Sequence, residues 1–237
     1  MSLKKRILAK QFQKMFVPGG LSIPRKLTKK NLFCANALYT VPDQLILDGY
    51  NTPVENQGNL PYCAAYSASS FAENILWRKT HMKQEIDPIP LYKYAKTIDG
   101  NPNGDGTYLE CTLEALLEKK YFDKQRCKIK TFGGTFFQSF TALKDLKSAI
   151  HQYGCCMAGF NITTEWYSPT HDNTIVGGSF REEGGHAVLI VGYDKDRVRI
   201  LNSWGKDYAD GGFVWISNEA FEKQFIYGSI LTHCLDD

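Results

Sequence analysis

The hydrophobic period of this chain changes once, and that change limits what it can fold into. Up to about residue 153 the apolar side chains recur at helical spacing, and from Ala187 they fall into short continuous runs. Residues 63–77 are rich in Ala and Ser, lack Gly and Pro, and predict a buried helix that starts at Cys63. A short helix is expected after Pro90. Another is expected over 108–120, with Leu109, Leu113, Leu116 and Leu117 at helical spacing, and another over 141–153. Residues 187–193, 198–201 and 212–216 are Val/Ile/Leu-rich runs separated by turn residues and read as strands. Helices first and strands later predict an α+β chain with a helical half and a sheet half. With 237 residues, 43% of them hydrophobic, it has enough material for one large domain or two lobes sharing a cleft.

The charge divides the chain at a different place. Nine of the 28 basic residues precede Asp43, the first acidic residue, so the remaining 19 face all 25 acidic ones. A leader of about +9 therefore precedes a body of about −6, and opposite signs favour docking of one on the other. Residues 3–16 read as an amphipathic helix, with Leu3, Ile7, Leu8, Phe12, Met15 and Phe16 near one face, ended by Pro18-Gly19-Gly20. A basic connector follows to about Thr40, and the body begins near Val41-Pro42. The leader can be a solvated tail, a membrane-contact or delivery helix, or a segment docked on the body. The apolar residues after Lys4-Lys5-Arg6 are interrupted by Lys10, Gln11, Gln13 and Lys14, unlike a secretory signal, so cytoplasmic synthesis is expected, with any export non-classical. No apolar run approaches bilayer-spanning length. The basic residues are confined to the leader and form no nucleic-acid-reading motif, so no nucleic-acid partner is expected.

Seven cysteines, with no CxxC pair, predict reduced thiols rather than a disulfide scaffold. Cys155-Cys156 with His151 fits a tetrahedral metal site poorly, and buried small side chains are the expectation there. Cys63 differs from the other six because it is predicted at a helix start, where amides and the helix dipole favour a thiolate. His186 follows Gly184-Gly185 at the entry of an apolar strand, and Asn202 lies sixteen residues further on. A cysteine nucleophile needs a base, and the base needs a group that fixes its ring; an Asn oxygen can accept the imidazole N–H, and Trp204 can shield that bond from water. The Gln57 amide, with the Cys63 backbone N–H, can hold an oxyanion.

Pro53-Val54-Glu55-Asn56-Gln57-Gly58 through Cys63-Ala64-Ala65-Tyr66-Ser67 resembles the nucleophile segment of papain-family cysteine proteases. Residues 185–193 resemble the family's histidine strand, and Asn202-Ser203-Trp204-Gly205 with Gly211-Gly212-Phe213 its asparagine segment. Residues 143–150 followed by Gly154 are similar to its interdomain helix and next strand, and residues 106–109 to the substrate-edge segment of short microbial members. The resemblance covers about residues 41–230. It implies a two-lobed α+β fold, with a helical lobe at about 41–125, a β-barrel-like lobe at about 126–237, and a peptide-binding cleft between them. It implies Cys63, His186, Asn202 and Gln57 as catalytic residues, and Gly106, Thr107, Gly185 and Trp204 as substrate-binding ones. No metal or cofactor is implied, and a monomer is expected. The chain departs from the family pattern at Leu60, Pro61, Ala64 and Gly185, where the family has cysteine, glycine, tryptophan and an acidic or polar residue. Family members are made with pro-segments through the cleft, so residues 1–40 are expected to act as an intramolecular inhibitor. Peptide hydrolysis is the leading expectation; acyl transfer to an amine through the same thioester, and an inactive peptide-binding protein, are the alternatives.

Overall fold

The chain is described by a computed structural model over residues 20–22, 33, 40–50, 53–133, 142–178 and 181–234. The expected helix at 3–16 lies outside these residues. Three helices come first: α1 (Cys63–Thr80), α2 (Pro88–Ile98) and α3 (Leu109–Glu118). A fourth, α4 (Ala142–Tyr153), and a short α5 (Asn218–Gln224) punctuate the sheet half. The helix expected after Pro90 starts at Pro88, because the Asp87 side chain accepts the Ile89 N–H and Pro88 occupies the first turn, where its missing N–H costs nothing.

One eight-stranded sheet organises the rest. Its strands are β1 (Leu45–Ile46), β2 (Lys128–Phe132), β3 (Cys156–Thr163), β4 (Thr174–Ile175), β5 (Glu182–Tyr193), β6 (Arg197–Leu201), β7 (Phe213–Ser217) and β8 (Phe225–Thr232). Their order is β2-β8-β3-β5-β6-β7-β4, with β1 also paired to β5, and every pairing is antiparallel except β4 with β7.

β5 explains how one sheet carries two cores. Its side chains alternate between faces. Ala187, Leu189 and Val191 join the buried set formed with α1, α2 and α3. Val188, Ile190 and Tyr193 join the set formed with α4, α5 and the remaining strands. A strand buried on both faces reads as an unbroken apolar run, which is why 187–193 stands out in the sequence. Ala64, Ala65, Ala68 and Ala72 are fully buried, and these small side chains let the α1 backbone approach the sheet closely. The mixed helices and sheet agree with the α+β expectation.

Candidate active site

Cys63 is the first residue of α1, and no side chain caps that helix end. The preceding loop is held by other means. Gln57 Nε2 donates to the Leu60 carbonyl at 2.9 Å, and the Tyr62 ring stacks on Tyr92 with centroids 3.6 Å apart. The Cys63 sulfur accepts the backbone N–H of Ala187, so it lies beside His186, the previous residue of β5.

His186 faces the other way from Ala187 by strand alternation, into a wall of aromatic rings. Trp204 lies over it at 5.0 Å and Trp166 meets it edge-on at 6.2 Å. His186 Nε2 and Asn202 Oδ1 are 2.9 Å apart. The amide oxygen can only accept, so Nε2 carries the proton and Nδ1 is left as the basic nitrogen. Asn202 Oδ1 also accepts the Ser203 N–H at 2.8 Å, and the Asn202 N–H donates to the Gly212 carbonyl at 3.0 Å, which fixes the amide from both sides. Gln57 is tied to the same segment: its N–H donates to the Ser203 carbonyl at 2.9 Å, and its Oε1 accepts Ser203 Oγ–H at 2.6 Å. The structure thus brings Cys63, His186, Asn202 and Gln57 together from four separate stretches of sequence.

Residues 20–22 lie in the cleft beside them. Ser22 N–H donates to the Thr107 carbonyl at 3.0 Å, and Thr107 N–H donates to the Gly20 carbonyl at 3.3 Å, a parallel bridge. Leu21 is 5% exposed and packs over Gly159, while its carbonyl lies 2.9 Å from where a Cβ on Gly185 would stand. A Cβ on Gly106, whose φ is +69°, would collide with the Gly20 carbonyl. A Cβ on Gly20 itself would sit 3.1 Å from the Cys63 sulfur. Only glycine permits so close an approach of backbone to backbone and sulfur. Tyr227 completes the pocket: its hydroxyl accepts the Leu109 N–H at 3.0 Å and donates to the Ser22 carbonyl at 3.3 Å. The strand-like edge at 106–107 is braced from behind, because Lys96 Nζ bonds both the Gly106 carbonyl at 3.0 Å and Asp99 at 2.7 Å.

Three of the four residues read from the sequence as substrate-binding, Gly106, Thr107 and Gly185, therefore lie against residues 20–22. Trp204 lies elsewhere. It is 2% exposed and packs between His186, Tyr167 and Tyr208, a placement that shields the His186–Asn202 bond. Leu21, Gly159 and Tyr227 had no recognisable signal in the sequence, since each matters through a neighbour far away in the chain; Ser203 lies in the asparagine motif, but its bond to Gln57 shows only in the structure.

With the leader in place the electrostatics run against the thiolate expected at the helix start. Burial pushes the Cys63 thiol up to about 11, outweighing the amide hydrogen bonds that pull it down. Burial likewise pushes His186 down to about 4 against the opposing pull of Asn202. Both groups are neutral in the covered cleft. Among the described residues no cluster of three or more His, Cys, Asp or Glu side chains is placed to hold a metal ion.

A family model for papain family cysteine proteases matches residues 92–229, a span that includes His186 and Asn202 but starts after Gln57 and Cys63. Procathepsin L of Felis catus is 22% identical over 229 residues, covering 86% of this chain and 68% of its own. Among solved structures, xylellain, a cysteine protease from Xylella fastidiosa, superposes with a TM-score of 0.68 at 18% identity, covering 91% of this chain and 96% of its own. A procathepsin B from Trypanosoma congolense gives 0.65 at 14% identity, covering 93% and 87%. At these identities the structural matches speak for the fold.

Proposed function

The chain belongs to the papain family of cysteine proteases, and from that premise we propose that it is an endopeptidase whose nucleophile is Cys63, restrained by its own N-terminal segment. His186 Nδ1 takes the thiol proton as sulfur attacks the peptide carbonyl carbon. The carbonyl electron pair moves onto oxygen, stabilised by the Cys63 N–H and the Gln57 amide. His186 then gives its proton to the leaving amine, and the C–N bond breaks to leave a thioester. Water, deprotonated by His186, attacks the thioester and regenerates the thiol. The observation that carries this reading is the 2.9 Å His186–Asn202 bond, because it leaves Nδ1 as the ring nitrogen that can serve the sulfur.

Gly106, Thr107 and Gly185 are read as the substrate edge, and Trp204 as the cover of the His186–Asn202 bond. Residues 1–40 form the leader; about 41–125 and 126–237 form the two lobes, a division supported by α1 to α3 preceding most of the sheet. Gly20, Leu21 and Ser22 lie where a peptide substrate is expected, which supports restraint by occupation. No described helix is long and apolar enough to cross a membrane; cytoplasmic synthesis rests on the interrupted pattern of residues 3–16 alone and belongs to the same proposal.

Acyl transfer uses the same thioester, so the acceptor must be tested directly. The chain from residue 41 onward is incubated with a peptide and an excess of a small primary amine, and the products are weighed by mass spectrometry. Free carboxylic acid products, absent from the Cys63→Ala chain, are expected. Amide products in their place would make the protein a transferase, and no product at all would leave a peptide-binding protein.

A further inference from the structure

Two thiols meet at the far end of α1 from Cys63, about 27 Å away for a helix of 18 residues. Cys127 immediately precedes β2, and Cys234 lies just beyond β8. These strands pair antiparallel, with Lys128 opposite Thr232, so the two cysteines flank the same end of one ladder. His233, between β8 and Cys234, has φ of +63°, a left-handed conformation uncommon for a side chain of its size. That turn brings Cys234 to the cavity that Cys127 also lines, with the two thiols within hydrogen-bond reach of each other; the Cys234 S–H also reaches the Thr232 carbonyl at 3.7 Å.

Both thiols line a cavity of about 200 Å³, together with Leu76, Tyr121, Phe122, Lys79, Arg126 and Asp123. The Cys127 thiol is held below its ordinary value, first by the Cys234 hydrogen bond and then by Lys79 and Arg126, against opposing burial and Asp123. The other described cysteines whose thiols are shifted, Cys63, Cys111, Cys155 and Cys156, all go the opposite way. Two neighbouring thiols that line one cavity together with Lys79 and Arg126 are placed as a nucleophilic and a resolving cysteine would be.

We propose that Cys127 and Cys234 form a thiol–disulfide exchange site for small anionic disulfides of the oxidised glutathione class. The Cys127 thiolate attacks one sulfur of the reagent, forming a mixed disulfide and releasing one thiol. Cys234 then attacks the Cys127 sulfur, and the second reagent thiol departs. Two protons and two electrons pass from the protein to the reagent, and a Cys127–Cys234 disulfide remains. That bond joins the start of β2 to the end of β8 and encloses seven of the eight strands within one covalent loop, which stabilises the fold by restricting the unfolded chain. It does not depend on Cys63, so it stands or falls apart from the proteolytic reading.

The full-length Cys63→Ala chain, which can neither react at that thiol nor cleave itself through it, is incubated under native conditions with oxidised glutathione and followed by intact mass, peptide mapping and thermal melting. Mass loss of two hydrogens, a mapped Cys127–Cys234 link and a raised Tm, all reversed by dithiothreitol, are expected. Adding Cys234→Ser should trap a stable glutathionyl adduct on Cys127. Adding Cys127→Ser should make any adduct at Cys234 form roughly tenfold more slowly. Melting of each reduced variant checks that it is folded. A stable mixed disulfide on the parent chain, a link that forms only in denaturant, or equal rates at the two thiols would overturn the proposal.

Discussion

Gln57 shows how much a single residue can be asked to do. Its oxygen is bonded to Ser203 Oγ and its nitrogen to the Leu60 carbonyl, so its amide is clamped in one orientation and holds the loop before the nucleophile. In the leader-free chain, Gln57→Ala should lower kcat by about 10²–10³, the typical effect of losing one oxyanion donor, with a smaller change in KM. A raised KM with kcat unchanged would show a binding role instead. Two other residues give stability a pH dependence of opposite sign. His186 is held down to about 4 against an ordinary 6.5, so its contribution is present above 6.5 and is lost as pH falls toward 4. Glu55, half-buried, is pushed up to about 8 from 4.5 by desolvation and then by the neighbouring Glu73, so its contribution is present below 4.5 and is lost as pH rises through 8. Glu55→Gln should therefore flatten the decline in Tm between about pH 4.5 and 8, read on the Cys63→Ala chain. An unchanged slope would mean that Glu55 ionises freely in the folded state. Among site residues, the sequence made Cys63, His186, Asn202 and Gln57 legible because each sits in a local motif. Gly159 and Tyr227 do their work through partners more than sixty residues away, and nothing local marks them.

At the scale of elements, legibility followed the number of buried faces and the residues available to show it. α3 was readable because one apolar stripe recurs at helical spacing, α1 because a run of small residues without Gly or Pro fits a helix buried around most of its circumference, and β5 because a run buried on both faces is continuous. β3 and β8 are also buried on both faces, yet each carries a glycine at a packing point. Gly159 accommodates Leu21, and a Cβ on Gly228 would stand 2.6 Å from the Phe132 ring. These glycines interrupt the hydrophobic run for reasons visible only in three dimensions. The three-residue strap at 20–22 is the element on which the proposed restraint would depend. Leu21→Asp would bury a carboxylate in an apolar pocket, a cost large enough to expel the strap. The full-length variant should turn over peptide substrate at a rate approaching that of the chain lacking residues 1–40. Turnover no faster than that of the unaltered full-length chain would show that occupation of the Leu21 pocket is not what restrains the site.

Across the whole molecule, one sheet with two cores supports a site made at its edge. α1 brings Cys63 to the helical face, and the segments carrying His186 and Asn202 reach the same point from the sheet. The charge asymmetry of the sequence favours docking, because a basic leader precedes a body with an excess of acidic residues. Burial in the covered cleft favours the neutral thiol and imidazole, so on the proposed reading departure of the leader would both open the cleft and let water stabilise the charged pair. The most direct test is irreversible labelling by a peptide-like, thiol-directed epoxide, read by intact mass, on the full chain, on the chain from residue 41, and on the Cys63→Ala form of each. One adduct on each wild-type chain, forming faster without the leader and absent from both Cys63→Ala chains, is the predicted result. An adduct that persists on Cys63→Ala, or equal rates with and without the leader, would contradict the account.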